Sequence, residues 1–194
     1  MIRRAAGAAW SAAITMVWVL AASAGDAPAP VSATAPAGLS PASAGIELAV
    51  PIVVQRPERC GPAALAMVLR FHGATAEQVA LADSAYDPAL RGALITDLAA
   101  SARRAGFDAR VEQLNEDSLV TLLHQKHPPI LLYRRGIGPM SPQHYGVLVG
   151  WDRNRGRWIL HDGGRTPHLM SRRDLAARWT AAGSEALVVR PIAP

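Results

Sequence analysis

The 194-residue chain carries a single cysteine, Cys60, and a single lysine, Lys126. One cysteine excludes an intramolecular disulfide framework and a multi-cysteine zinc site, so whatever Cys60 does, it does alone or with non-cysteine neighbours. Aromatic residues are scarce, at 5%, and charged residues make up only 18%. With half of the residues hydrophobic, that low charge excludes a wholly disordered chain. The lack of a glycine period and of sustained heptads excludes collagen and coiled coil. No internal repeat is visible. The net charge is +5 and nineteen of the twenty basic residues are arginine, yet they fall in scattered pairs, Arg103-Arg104, Arg134-Arg135 and Arg172-Arg173. Without clustering or interleaved aromatics these read as solvated surface, and no nucleic-acid partner is expected. No cofactor is expected either.

What is present begins with an N-terminal targeting pattern. Met1 to Arg4 holds two positive charges, Ala5 to Leu20 is apolar apart from Ser11 and Thr15, and Ala22-Ser23-Ala24 has the small residues that a signal peptidase accepts. Residues 1–24 therefore read as a signal peptide, and the protein as exported, periplasmic or secreted. The alternative is an uncleaved membrane anchor, since residues 5–24 are just long enough to span a bilayer. The membrane is expected as a partner only in that case. No cysteine lies near the junction, which excludes lipoprotein attachment there, and cleavage would lower the net charge to +3 by removing Arg3 and Arg4. Residues 25–44 are almost entirely Ala, Pro, Ser and Gly, a composition suited to an extended linker. The folded domain is expected over 45–194.

Within it, Ile46 to Val54 reads as a strand disturbed at Pro51. Gly61-Pro62 opens a helix whose apolar face is Ala63, Ala64, Met67, Val68 and Phe71, and Gly73 ends it. Thr75 and Gln78 form a capping box for a second helix reaching Tyr86, and residues 87–94 read as a loop. Thr96 is expected to cap a third helix through Arg104, closed by Gly106 and followed by a strand from Phe107 to Leu114. Asn115 caps a fourth helix that Pro128-Pro129 terminates. The pattern then changes to strands: Ile130 to Tyr133, Tyr145 to Trp151 and Trp158 to His161, with a turn at Asp152 to Gly156 between the last two. Ser171 caps a last helix through Trp179, and Ala186 to Arg190 forms a closing strand. Helices first and a mostly antiparallel sheet second is an α+β arrangement.

Four residues carry the candidate chemistry. Cys60 immediately precedes Gly61-Pro62, at a helix N-terminus where the dipole and unpaired N–H groups favour a thiolate. His144, at the start of the strand HYGVLVG, is the candidate base, because a strand end presents a side chain in a fixed direction. Asp162 ends the next strand, RWILHD, and if the two strands pair through the turn, His144 and Asp162 share one edge of the sheet. Gln55 is placed to add a side-chain N–H to the Cys60 backbone N–H as an oxyanion hole. His161 should point to the opposite face from Asp162. His124 and His127 have metal-ligand spacing without the glutamate of a zincin, and no metal is expected. Trp151, Trp158 and Trp179 read as packing, and Arg134 to Pro142 as a basic loop bordering the cleft.

The strings QRPERCGPAALAMVLRFHG, HYGVLVGWD and WILHDGG resemble the bacteriocin-processing, double-glycine leader peptidase family of papain-like thiol peptidases. The resemblance covers most of residues 46–194. It implies a papain-like fold, Cys60 as nucleophile, His144 as general base and acid, Asp162 as the orienting residue, Gln55 as oxyanion donor, and a peptide or protein substrate. Three departures are visible. The best-known members are cytosolic N-terminal domains of peptide-exporting transporters, whereas this chain has an export pattern and no transporter helices. The interval from Gln55 to Cys60 is one residue shorter than in those members, and Gly163 stands where proline is frequent. The leading expectation is an exported cysteine peptidase working through a Cys60 acyl-enzyme. A thiol amidase or acyltransferase on the same residues, and a noncatalytic peptide-binding module of the same fold, are the alternatives.

Overall fold

A computed structural model describes residues 45–136, 138 and 140–192. The signal-peptide and linker readings lie outside these residues. Cys60-Gly61-Pro62 forms the first turn of α1 (Cys60–Phe71), where proline is tolerated because first-turn N–H groups have no intrahelical partner. Nine consecutive residues, Gly61 to Leu69, are buried, so α1 is a core helix packed on all sides rather than one with a single apolar face. It ends in a Schellman turn: Gly73, at φ +80°, donates to Arg70 O and Ala74 donates to Leu69 O.

The Thr75–Gln78 capping box is formed, but the helix it starts, α2 (Ala76–Ala80), tightens into a 3₁₀ segment over Leu81–Ala85. Helix α3 (Ile95–Arg104) begins before the expected Thr96 cap, with Leu94 at the N-cap position and no capping side chain. Burial decides this. Ile95, Leu98, Ala99 and Ala102 form one buried face, and seating Ile95 on it requires the helix to start there. Helix α4 (Glu116–His124) is capped by Asn115 and stops at Lys126, at φ 60°, before the proline pair is reached.

The strands are β1 (Ile46–Glu47), β2 (Phe107–Gln113), β3 (Ile130–Arg134), β4 (Gln143–Asp152), β5 (Arg157–His161), β6 (His168–Ser171) and β7 (Glu185–Pro191), with α5 (Arg172–Thr180) between the last two. They form an antiparallel sheet in the order β2-β7-β3-β4-β5-β6, and β1 pairs with the far end of β4. The expected strand from Ile46 to Val54 is cut to two residues. Val50 N–H turns back to Leu48 O at 2.7 Å and Pro51 has no N–H to offer a ladder.

Helices α1 and α3 belong to a core with Ile130, Leu132, Tyr145, Val147, Val149 and Leu187. The intervening strand residues Leu131, Tyr133 and Leu148 join Leu119, Leu123, Trp158, Leu175 and Trp179 of the opposite face. The central strands are covered on both faces, which is why they read as continuous apolar runs. All three tryptophans of the domain lie in the second core, as packing residues.

Gly150 is required where β1 reaches β4. A Cβ there would sit 2.2 Å from Ile46 O and 2.9 Å from Glu47 Cα. Gly150→Ala should therefore displace β1 and lower stability by about 1–3 kcal/mol, the usual cost of overpacking. A melting temperature equal to wild type would show that β1 gives way freely.

Candidate active site

Cys60 is the first residue of α1 and is partly exposed. Gly61 explains how close this helix end comes to the sheet. A Cβ on it would lie 3.1 Å from Leu98 Cδ1 and 3.2 Å from both Ala93 Cβ and Tyr145 Cδ2. The start of α1 is thus seated against Tyr145 of β4, the neighbour of His144. Burial is the main cause that raises the Tyr145 phenol above its ordinary range, and its hydroxyl donates to Ala93 O at 3.0 Å.

Cys60, His144 and Gln55 line one cavity of about 520 Å³, with Leu132, Tyr145, Arg135 and the loop Leu90–Leu94 as its other principal walls. Arg135 and Pro142 bring both ends of the basic loop to this cavity. Arg91 of the 90–94 loop is fastened to Glu58, two residues before Cys60. Glu58, in the left-handed region at φ 63°, accepts from Arg91 Nε at 2.7 Å and from Tyr86 OH at 3.1 Å.

His144 is buried on β4. Its Nε2 lies 2.9 Å from the main-chain oxygen of Asp162. A carbonyl only accepts, so Nε2 carries the proton and, in the neutral ring, Nδ1 holds the lone pair. Burial is the main cause of a pKa below the ordinary histidine value; the Asp162 carbonyl opposes it and the Arg135 charge adds to it.

Asp162 reaches this edge because β4 and β5 pair antiparallel with Val147 opposite His161. Its carboxylate is not on His144. It accepts from His168 Nδ1 at 2.8 Å and Tyr133 OH at 3.2 Å, both at Oδ2. Burial, and then Asp162, drive the Tyr133 phenol far above its usual range.

Gln55 packs on Gly163, whose φ is +93° and whose missing Cβ would lie 2.2 Å from Gln55 Oε1. The Gln55 N–H donates to Gly163 O at 3.2 Å, and Oε1 is buried without a hydrogen-bond partner. The glycine that departs from the family pattern is therefore the space in which the glutamine side chain lies.

The other histidines are elsewhere. His161, opposite Val147, is buried with Nδ1 unpartnered and does not line the cavity. His127 lies beside His72, with ring centroids 5.9 Å apart and the planes tilted by 52°. Among the described residues no three His, Cys, Asp or Glu side chains form a metal-binding group, and no helix is long and apolar enough to cross a membrane. Sequence reasoning missed Tyr133, His168 and Gly163 as parts of the site. His168, six residues past Asp162 on a four-residue strand, gave no periodic signal.

A helix with cysteine at its first residue, packed on a mostly antiparallel sheet that carries a histidine, defines a papain-like α+β fold. The chain belongs to the peptidase C39 family, whose model matches residues 49–191. Among solved structures it is similar to a double glycine motif protease from an AMS/PCAT transporter in complex with the leader peptide. Identity is 18%, the TM-score is 0.59, and 76% of this chain and 98% of that one are covered. The peptidase domain of Streptococcus ComA is 21% identical with a TM-score of 0.56, covering 74% of this chain and 99% of that one. A protein described as a C39-like peptidase from Bacillus anthracis is 16% identical with a TM-score of 0.64, covering 78% and 100%. No curated protein sequence matches the chain.

Proposed function

We propose that the protein is an exported cysteine peptidase that hydrolyses peptide bonds through an acyl-enzyme on Cys60. One observation carries this reading: Cys60 at a helix start, His144 with its Nε2 proton tied to Asp162 O, and Gln55 all border one cavity. Export rests on the pattern of residues 1–24. Nδ1 of His144 takes the thiol proton, and the thiolate attacks the substrate carbonyl carbon. The Cys60 N–H and the Gln55 amide meet the oxyanion as it forms. The imidazolium then protonates the leaving amine, and water, deprotonated by His144, releases the acid and restores the thiol. Asp162 orients the base, through its carbonyl. A peptide in the cavity is in keeping with the leader peptide bound by the transporter protease.

Digestion of a peptide library by the reduced protein, with and without an added amine acceptor, tests the reaction. New carboxyl termini in both samples support hydrolysis. Products capped only by the amine would assign transfer instead, and stoichiometric binding with no product would leave a binding module.

If Gln55 is the oxyanion donor, Gly163→Ala should act through it. Each of Gln55→Ala and Gly163→Ala is expected to lower kcat about 100-fold, the scale of one lost donor. The double variant should lose little more than either alone. Fully additive losses would show that Gly163 matters only for its backbone conformation.

A further inference from the structure

We infer that His168 is a positioning residue of this site, acting on His144 through Asp162; the inference rests on the reading of His144 as the base. Asp162 serves two histidines with two different groups. Its main-chain oxygen receives His144 Nε2 at 2.9 Å, while its carboxylate receives His168 Nδ1 at 2.8 Å and Tyr133 OH at 3.2 Å. Asp162 lies just beyond β5, whose pairing with β4 ends at His161, and is followed by Gly163 at φ +93°. No strand ladder therefore fixes which way its carbonyl points. The side chain does so instead, held by two donors that are themselves on paired strands. His168 is in register with Leu160 on β6, and Tyr133 is in register with His144 on β3.

The carboxylate is buried and, as an anion, only accepts, so the His168 ring must present Nδ1–H to it. Of its two bonds the one from His168 is shorter. The His168 side chain is 44% exposed, so its replacement leaves the core intact, whereas a change at Tyr133 would open the second core. Removing Nδ1–H leaves the carboxylate on Tyr133 alone, free to swing, and the carbonyl that fixes the His144 tautomer moves with it.

Two variants separate the donor from the ring. His168→Ala removes Nδ1–H. His168→Asn keeps an N–H at the same distance from Cβ, because the Asn amide nitrogen and His Nδ1 are both bonded to Cγ. Two readouts are used: kcat and KM on a peptide cleaved by the wild type, and the ¹⁵N spectrum of the His144 ring, assigned by its loss in His144→Gln. The alanine variant is expected to lose about 10–100-fold in kcat, the usual scale for groups that orient a reacting ligand, with KM unchanged. Its His144 resonance should leave the pure Nε2–H form. The asparagine variant should recover most of the rate and the Nε2–H signature. Unchanged or raised kcat with an unchanged tautomer in His168→Ala would overturn the inference, as would equal losses in both variants. Should the wild type cleave no peptide, the tautomer alone decides: the failure would then lie with the peptidase reading, and a shift confined to His168→Ala would still place His168 in this role.

Discussion

Cys60→Ala is expected to abolish peptide turnover while leaving the unfolding transition close to that of the wild type. The loss follows from the proposed role of Cys60 as the nucleophile that carries the acyl group. Removing the nucleophile of such a site typically costs about 10⁵–10⁶ in kcat. The fold should tolerate the change because Cys60 is partly exposed at a helix start, where a sulfur is not needed to fill the core. Cys60→Ser keeps the shape but offers a hydroxyl that His144, already depressed in basicity by burial, deprotonates poorly. Turnover of a peptide substrate and thermal melts on the same preparations check both halves. Activity retained in Cys60→Ala would remove the acyl-enzyme from the account.

The second large effect is acid sensitivity. His72, His127, His144 and His161 all have pKa values lowered in the folded chain, in each case chiefly by burial. His72 is lowered further by His127, and His127 by Arg190. In the unfolded chain each returns to about 6.5. The unfolded state thus binds more protons below that pH, and stability must fall with acidification. The histidine contribution is fully present above about pH 6.5 and is lost as pH falls toward the lower folded values, at up to about 1.4 kcal/mol per pH unit for each proton of difference. Paired carboxylates such as Glu58 and Asp152, whose pKa values are also lowered, act only at more acidic pH. Urea midpoints from pH 8 to pH 5.5 should decline. His161→Leu, which replaces a buried ring with an unpartnered Nδ1, should flatten the decline. A midpoint independent of pH over this range would contradict the assignment of neutral buried rings.

Much of this arrangement was legible before any coordinates. Cys60 at a helix start follows from Gly61-Pro62, and the common edge of His144 and Asp162 follows from the turn at 152–156, where Asp152 Oδ1 accepts from Asn154 N and Arg155 N. The Thr75–Gln78 capping box and the Asn115 and Ser171 caps were readable because their signals are local. What escaped was non-local. Helix α3 starts at Ile95 because a tertiary face demands it, and β1 is short because Val50 N–H bonds within its own turn. Strand β6 is four residues long and lacks a pattern of its own. The group of Asp162 that meets His144 could not be read from sequence at all, because a main-chain oxygen is common to every residue. Only the position of His168 and Tyr133 around the carboxylate reveals why the carbonyl is the one presented.

The central claim is that Cys60 and His144 work as a pair, and the rate of Cys60 alkylation by iodoacetamide as a function of pH tests it most directly. In the reduced protein, Cys60 should react readily well below pH 8.5, where free cysteine is mostly protonated, and His144→Ala should lose about tenfold or more of that low-pH rate. A thiol that is inert in the folded protein, or that follows the profile of free cysteine with and without His144, would contradict the account.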